Sequence, residues 1–181
     1  METDMMNTNL QDHPTWLKVK ECGVITTRDS NGDVNGELVD ILNRHDSVMS
    51  DRIDEKFQQY YMSTVKKGMF KGFHAHPFKL DALHVVHGVM VLVLYPKEIP
   101  EEEVGTTRIN RESLIFVEMG RGYERTVMFP SKYPHGFFGV ENAVIINYRN
   151  PAWEPTDTHQ YDIRFDPIVK ILKERYSNNE E

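Results

Sequence analysis

Gly68-Met69-Phe70-Lys71-Gly72-Phe73-His74-Ala75-His76-Pro77-Phe78-Lys79-Leu80-Asp81-Ala82-Leu83-His84-Val85-Val86-His87-Gly88 carries four of the eight histidines of a 181-residue chain. His74 and His76 stand one residue apart, and Asp81 follows. Successive side chains of a strand point to opposite faces. His74 and His76 therefore share a face, and one strand presents both imidazoles to a common cavity. His84 and His87 have opposite parity, so at most one of them joins that face, and both read more simply as structural. Gly88 interrupts the β-branched run from Ala82 to Tyr95, which predicts two strands joined by a sharp turn at His87-Gly88. Later, Pro134-His135-Gly136 predicts a strand entry at a cavity mouth.

Strand signals continue on both sides of this stretch. Glu37–Leu42, Phe57–Ser63, Ser113–Glu118, Arg125–Phe129 and Ala143–Tyr148 are apolar or aromatic segments separated by turn residues. Many short strands so arranged indicate an all-β sandwich or barrel. Only two helical segments are expected. One is a short turn near Asp51–Glu55. The other starts at Asp166-Pro167, where Asp caps and Pro takes the first helical position; Ile168, Val169, Ile171 and Leu172 form its apolar face.

Composition bounds the function. Hydrophobic residues make up 39% and charged residues 27%, as in a soluble globular protein. A net charge of -7 argues against a nucleic-acid partner, which needs a basic face. The longest apolar run, Val89–Leu94, is too short to span a membrane. The N-terminal residues show no basic-then-apolar leader pattern. Cys22 is the only cysteine, which excludes an internal disulfide and points to the cytoplasm. Residues 1–14 are polar and read as a flexible arm; residues 15–181 read as one domain.

With these residues in place, a family resemblance becomes visible. Gly68, His74-x-His76, Asp81 and Gly88 follow the spacing of the first cupin motif, with Asp where Glu is usual. Phe129-Pro130-Ser131-Lys132-Tyr133-Pro134-His135 resembles the second motif in degraded form; Lys132 stands at its glycine and Gly139 at its later asparagine. The resemblance implies a cupin jelly-roll barrel, with a short C-terminal helix beside it. Within cupins, Phe57–Ser63, Lys71-Gly72-Phe73-His74, His135-Gly136-Phe137, Tyr148-Arg149, Trp153-Glu154-Pro155 and Asp166-Pro167 follow in the order seen in dTDP-4-dehydrorhamnose 3,5-epimerases. His74-Ala75-His76 also resembles the sugar-nucleotide 3,4-ketoisomerases.

That resemblance implies a metal-independent isomerase acting on a 4-keto-6-deoxyhexose nucleotide by proton transfer through an enolate. A carbon-bound proton next to a carbonyl needs a base, an acid and a group that meets the enolate charge. The resemblance places the base at His74 and the acid at Tyr148, and His76, beside His74, is expected to act as a second catalytic imidazole. It implies substrate contacts at Lys71, His135, Trp153, Lys79 and Gln59, no cofactor, and a homodimer in which the edge strand Cys22–Thr27 lies on a partner's sheet. Tyr148 also reads as an ordinary core tyrosine ending an apolar strand. The epimerases orient their catalytic histidine with a later Asp that has no counterpart after Asp166-Pro167, so either another carboxylate, Asp81 or Asp162, does that work or the mechanism differs. His76 is the second departure and favours isomerisation on one face of the sugar. Two further readings stay open: a metal-binding cupin, with His74, His76, Asp81 and His135 holding a divalent transition metal, and a non-catalytic sugar binder. Neither the sugar, the nucleotide nor the reacting carbon is legible.

Overall fold

The computed structural model describes residues 14–28, 34–39, 41, 59–76, 79–98, 113–150, 159–160 and 166–177. The strands in chain order are β1 Lys18–Glu21, β2 Val24–Arg28, β3 Val34–Val39, β4 Gln59–Val65, β5 Phe70–Ala75 and β6 Leu80–His87. They continue as β7 Val89–Leu94, β8 Ile115–Gly120, β9 Arg125–Pro130, β10 His135–Gly139, β11 Ala143–Asn150 and β12 His159–Gln160. Among the described residues one helix, α1, spans Asp166–Ser177.

Two five-stranded sheets, ordered β1-β9-β6-β11-β4 and β12-β5-β10-β7-β8, enclose the core. All their strand pairs are antiparallel. This is the expected all-β jelly roll with a C-terminal helix. β2 and β3 form a separate two-stranded ribbon, on which Val24, Ile25 and Val34 are exposed. The expected turn at Asp51–Glu55, the arm before Pro14, Trp153 and Asp162 lie outside the described residues.

Between the sheets, Leu83, Val85, Leu92, Leu94, Val127, Phe129 and Ile145 form the main apolar cluster. β7 contributes to two layers at once. Its Met90, Leu92 and Leu94 join this cluster, while Val91 and Val93 join a second one with Phe73, Phe138 and Leu172 of α1. Burial on both faces explains why Val89–Leu94 reads as an unbroken apolar run rather than an alternation. The turn from β6 to β7 depends on Gly88, whose φ is +75° and where a Cβ would lie 2.2 Å from the Asn142 carbonyl oxygen. Only glycine takes that backbone conformation without strain.

β11 sits in the middle of the first sheet, with β4 on one side and β6 on the other. Ala143 and Ile145 point into the main core. By the period of two, Asn147 and Arg149 continue on that inner face towards the barrel end. Tyr148 takes the opposite face, where it packs with Leu80, Ala82 and Met128.

Candidate functional site

Between the sheets, the polar end of β11 opens into a cavity of about 400 Å³. On the first sheet its wall is Gln59, Tyr61 and Ser63 of β4, Asp81 of β6, and Asn147 and Arg149 of β11. Strand register sets this wall in rows. Gln59 and Asp81 flank Arg149, and Tyr61 lies beside Asn147. On the second sheet the wall is Lys71 and His74 of β5, His76 just past its end, and His135 and Phe137 of β10.

The three histidines meet as the His-x-His parity requires. His135 is directly opposite His74 across the β5–β10 ladder, next to an irregularity at His135/Gly136. Ring centroids lie 4.5 Å apart for His74–His135, 5.0 Å for His74–His76 and 5.7 Å for His76–His135. One nitrogen from each ring falls within 4.8 Å of the others. Backbone contacts fix the cluster. The His76 amide donates to the Ser131 carbonyl at 2.7 Å. His135 Nδ1 donates to the Tyr133 carbonyl at 2.9 Å, which leaves Nε2 as the unprotonated nitrogen in a neutral ring. Phe129 packs edge-on against His135.

Burial governs the electrostatics. Desolvation, and then the neighbouring His76, lower the His74 pKa to about 4. Desolvation, and then His74, hold His135 well below the usual histidine value. Both imidazoles are thus neutral near pH 7 and can accept a proton or a metal. Arg149 is nearly buried and grips Asp81 with two hydrogen bonds, Nε to Oδ1 at 2.5 Å and Nη2 to Oδ2 at 2.9 Å. The guanidinium also lies 5.5 Å from the Tyr61 ring centroid. Burial, and then the Asp81 charge, push the Tyr61 hydroxyl up to about 12, so it stays protonated as a donor. Lys71 sits exposed at the mouth and donates to Ser63 Oγ at 2.7 Å.

The structure therefore gathers His74, His76, His135, Lys71 and Gln59 as the sequence suggested. It corrects three placements. Tyr148 lies on the outer face of its sheet, because the inner parity of β11 belongs to Ile145, Asn147 and Arg149. Lys79 is buried but does not line the cavity. Asp81 does line it, with both carboxylate oxygens accepting from Arg149, but among the described residues only the three histidines bring ligand atoms within 4.8 Å of one another. Tyr61, Ser63, Phe137, Asn147 and Arg149 are cavity residues that the sequence reading passed over.

No family model matches the chain, and no curated protein matches it. Solved structures do. The chain superposes on a dTDP-sugar isomerase from Desulfovibrio desulfuricans G20 with a TM-score of 0.60, at 19% identity over 84% of this chain and 87% of that one. It matches a dTDP-6-deoxy-D-glucose-3,5-epimerase from Legionella pneumophila Philadelphia 1, in complex with dTDP-4-keto-L-rhamnose, with a TM-score of 0.61, at 18% identity over 91% and 79%. A sugar 3,4-ketoisomerase from Thermoanaerobacterium thermosaccharolyticum, in complex with TDP, gives 0.53 at 18% identity over 88% and 96%. The chain shares the fold of these three structures. The jelly roll expected from the two degraded motifs is thereby shown. Among the described residues, no helix is long and apolar enough to cross a membrane.

Proposed function

We propose that this cavity isomerises a 4-keto-6-deoxyhexose nucleotide by moving a proton between the carbonyl carbon and its neighbour. The observation that carries the reading is the pairing of two same-face imidazoles, His74 and His76, in one cavity with Tyr61 on the facing wall. His74 removes the proton from the carbon next to the carbonyl. The C–H electron pair becomes a C=C bond, and the carbonyl π pair moves onto oxygen as an enolate. The enolate oxygen takes a proton as the neighbouring hydroxyl gives one up, and returning the abstracted proton to the former carbonyl carbon then shifts the ketone by one position. His76 beside His74 suits that transfer on one face, since a second imidazole can take the hydroxyl proton. Return from the far side to the original carbon would instead invert it, and Tyr61 is the hydroxyl placed for that. Lys71 at the mouth suits the diphosphate, as a point charge rather than a bidentate fork.

The test is incubation of the purified protein with dTDP-4-keto-6-deoxyglucose in deuterated water, read by NMR. Deuterium in the sugar together with a 3-keto product supports ketoisomerisation, whereas inversion at one carbon supports epimerisation. No incorporation with dTDP, GDP, UDP or CDP forms of the keto sugar overturns the reading. The same reading includes a homodimer in which the edge strand Cys22–Thr27 lies on a partner's sheet, checked by sedimentation at micromolar concentration.

A second reading rests on the histidine nitrogens within 4.8 Å of one another. Three imidazoles so placed fit a divalent transition metal, and the backbone contact at His135 Nδ1 would orient that ring as second partners of ligating histidines do. Bound there, a metal would supply Lewis-acid polarisation of the substrate oxygen. Near-stoichiometric metal in purified protein, released by His74→Asn, would replace His74 as base in this account.

A further inference from the structure

We propose that Asn147 is the group that receives the negative oxygen of the intermediate, donating a hydrogen bond from Nδ2 to the substrate's carbonyl oxygen as it becomes the enolate. The proposal rests on the keto-sugar reading above and names the residue that reading lacks. Asn147 lines the cavity and is 2% exposed. Its Nδ2 is buried and has no hydrogen-bond partner among the described residues. Buried side-chain donors are normally paired, and one left unmet lowers stability. The two preceding inward positions on the same strand, Ala143 and Ile145, are apolar and fully packed. A leucine at 147 would continue that pattern without an orphaned donor. The chain instead holds an amide at the point where the apolar interlayer becomes the cavity.

The alternatives on the same wall are committed. Arg149 directs Nε and Nη2 at Asp81. Tyr61, beside Asn147 in the register on this wall, holds the proton-donor role in the reading above. A buried neutral imidazole is a weak base, so proton abstraction from carbon proceeds only where the developing oxyanion meets a fixed donor. An amide N–H preset in a water-poor cavity supplies that without being itself titrated.

The test uses Asn147→Leu and Asn147→Ala in the full chain, with three readouts. Solvent deuterium exchange into the keto sugar nucleotide is expected to fall by about 100- to 1,000-fold, the effect of losing one oxyanion donor. Affinity for dTDP alone is expected to stay within about threefold, because Asn147 meets the sugar and not the nucleotide; the melting temperature of Asn147→Leu is expected to hold or rise, since an orphaned buried donor is removed. A purely structural asparagine would instead lose stability and nucleotide affinity together, and that result overturns the proposal. Exchange within tenfold of wild type in either variant also overturns it while leaving the keto-sugar reading intact. A wild-type protein that exchanges no keto sugar overturns both.

Discussion

A tyrosine hydroxyl can deliver a proton only to atoms that its ring can reach. Tyr61 reaches the cavity, and Tyr148 is packed against Leu80, Ala82 and Met128 on the far side of its sheet. Tyr61→Phe is therefore expected to slow turnover of the keto sugar by about 100-fold or more if the hydroxyl transfers a proton, the usual scale for a lost acid or base. Tyr148→Phe should leave turnover near wild type. Equal losses in both variants, measured as kcat on the same substrate, would count against Tyr61 as the acid. The error at Tyr148 is instructive because the correct answer was within reach of the sequence. The parity rule that joined His74 to His76 also separates Tyr148 from Asn147 and Arg149 once Ile145 is taken as core. It likewise joins Tyr61 and Ser63 to Gln59. A motif match can slip by one residue, and in a strand one residue is a change of face. No local signal, by contrast, marks Phe137 as cavity rather than core, since apolar residues line both.

At the scale of the element, two features position the site. The first is the Asp81–Arg149 pair, which ties β6 to β11 in direct register, with side chains 1% and 4% exposed. Asp81→Asn would leave a buried guanidinium without its counter-charge, and breaking such a pair costs about 3–5 kcal/mol. A denaturant melt should show a loss of that order; a loss under about 1 kcal/mol would mean that the pair is far more hydrated than its burial implies. The second is the β6–β7 turn. Gly88→Ala meets both a positive φ and a backbone clash with Asn142, whereas at Gly122, φ +82°, a Cβ would meet nothing within 4 Å. Gly88→Ala is thus expected to lower the melting temperature clearly more than Gly122→Ala, and equal shifts would refute the clash. This turn was legible, because a glycine inside a β-branched run has few other uses. The pairing of β5 with β10 was not. It brings residues 74 and 135 together across the chain, and the irregularity beside His135 depends on Gly72, where a Cβ would lie 2.6 Å from Gly136 Cα.

For the whole molecule, buried neutral histidines link folding to pH. Burial is the first cause that lowers His74, His135 and His84, so each binds its proton less readily in the folded chain than in the unfolded one. The unfolded chain titrates near the ordinary value of about 6.5. Below that pH it holds more protons than the folded chain, so stability rises with pH and falls as the solution is acidified. The stabilisation is thus fully present above about pH 6.5 and is lost progressively down to the folded value, about 4 for His74. A decline in melting temperature should accordingly begin between pH 7 and 6, above the range in which exposed carboxylates titrate. His84 provides the internal control, because it lies outside the candidate site with Nδ1 3.2 Å from Thr126 Oγ1. His84→Gln should flatten part of the decline without altering deuterium exchange, and His135→Gln should flatten it while impairing exchange. A melting temperature constant from pH 7 to pH 5 would show that these imidazoles protonate freely in the folded chain, and the picture of His74 and His135 as desolvated rings on one cavity wall would have to be abandoned.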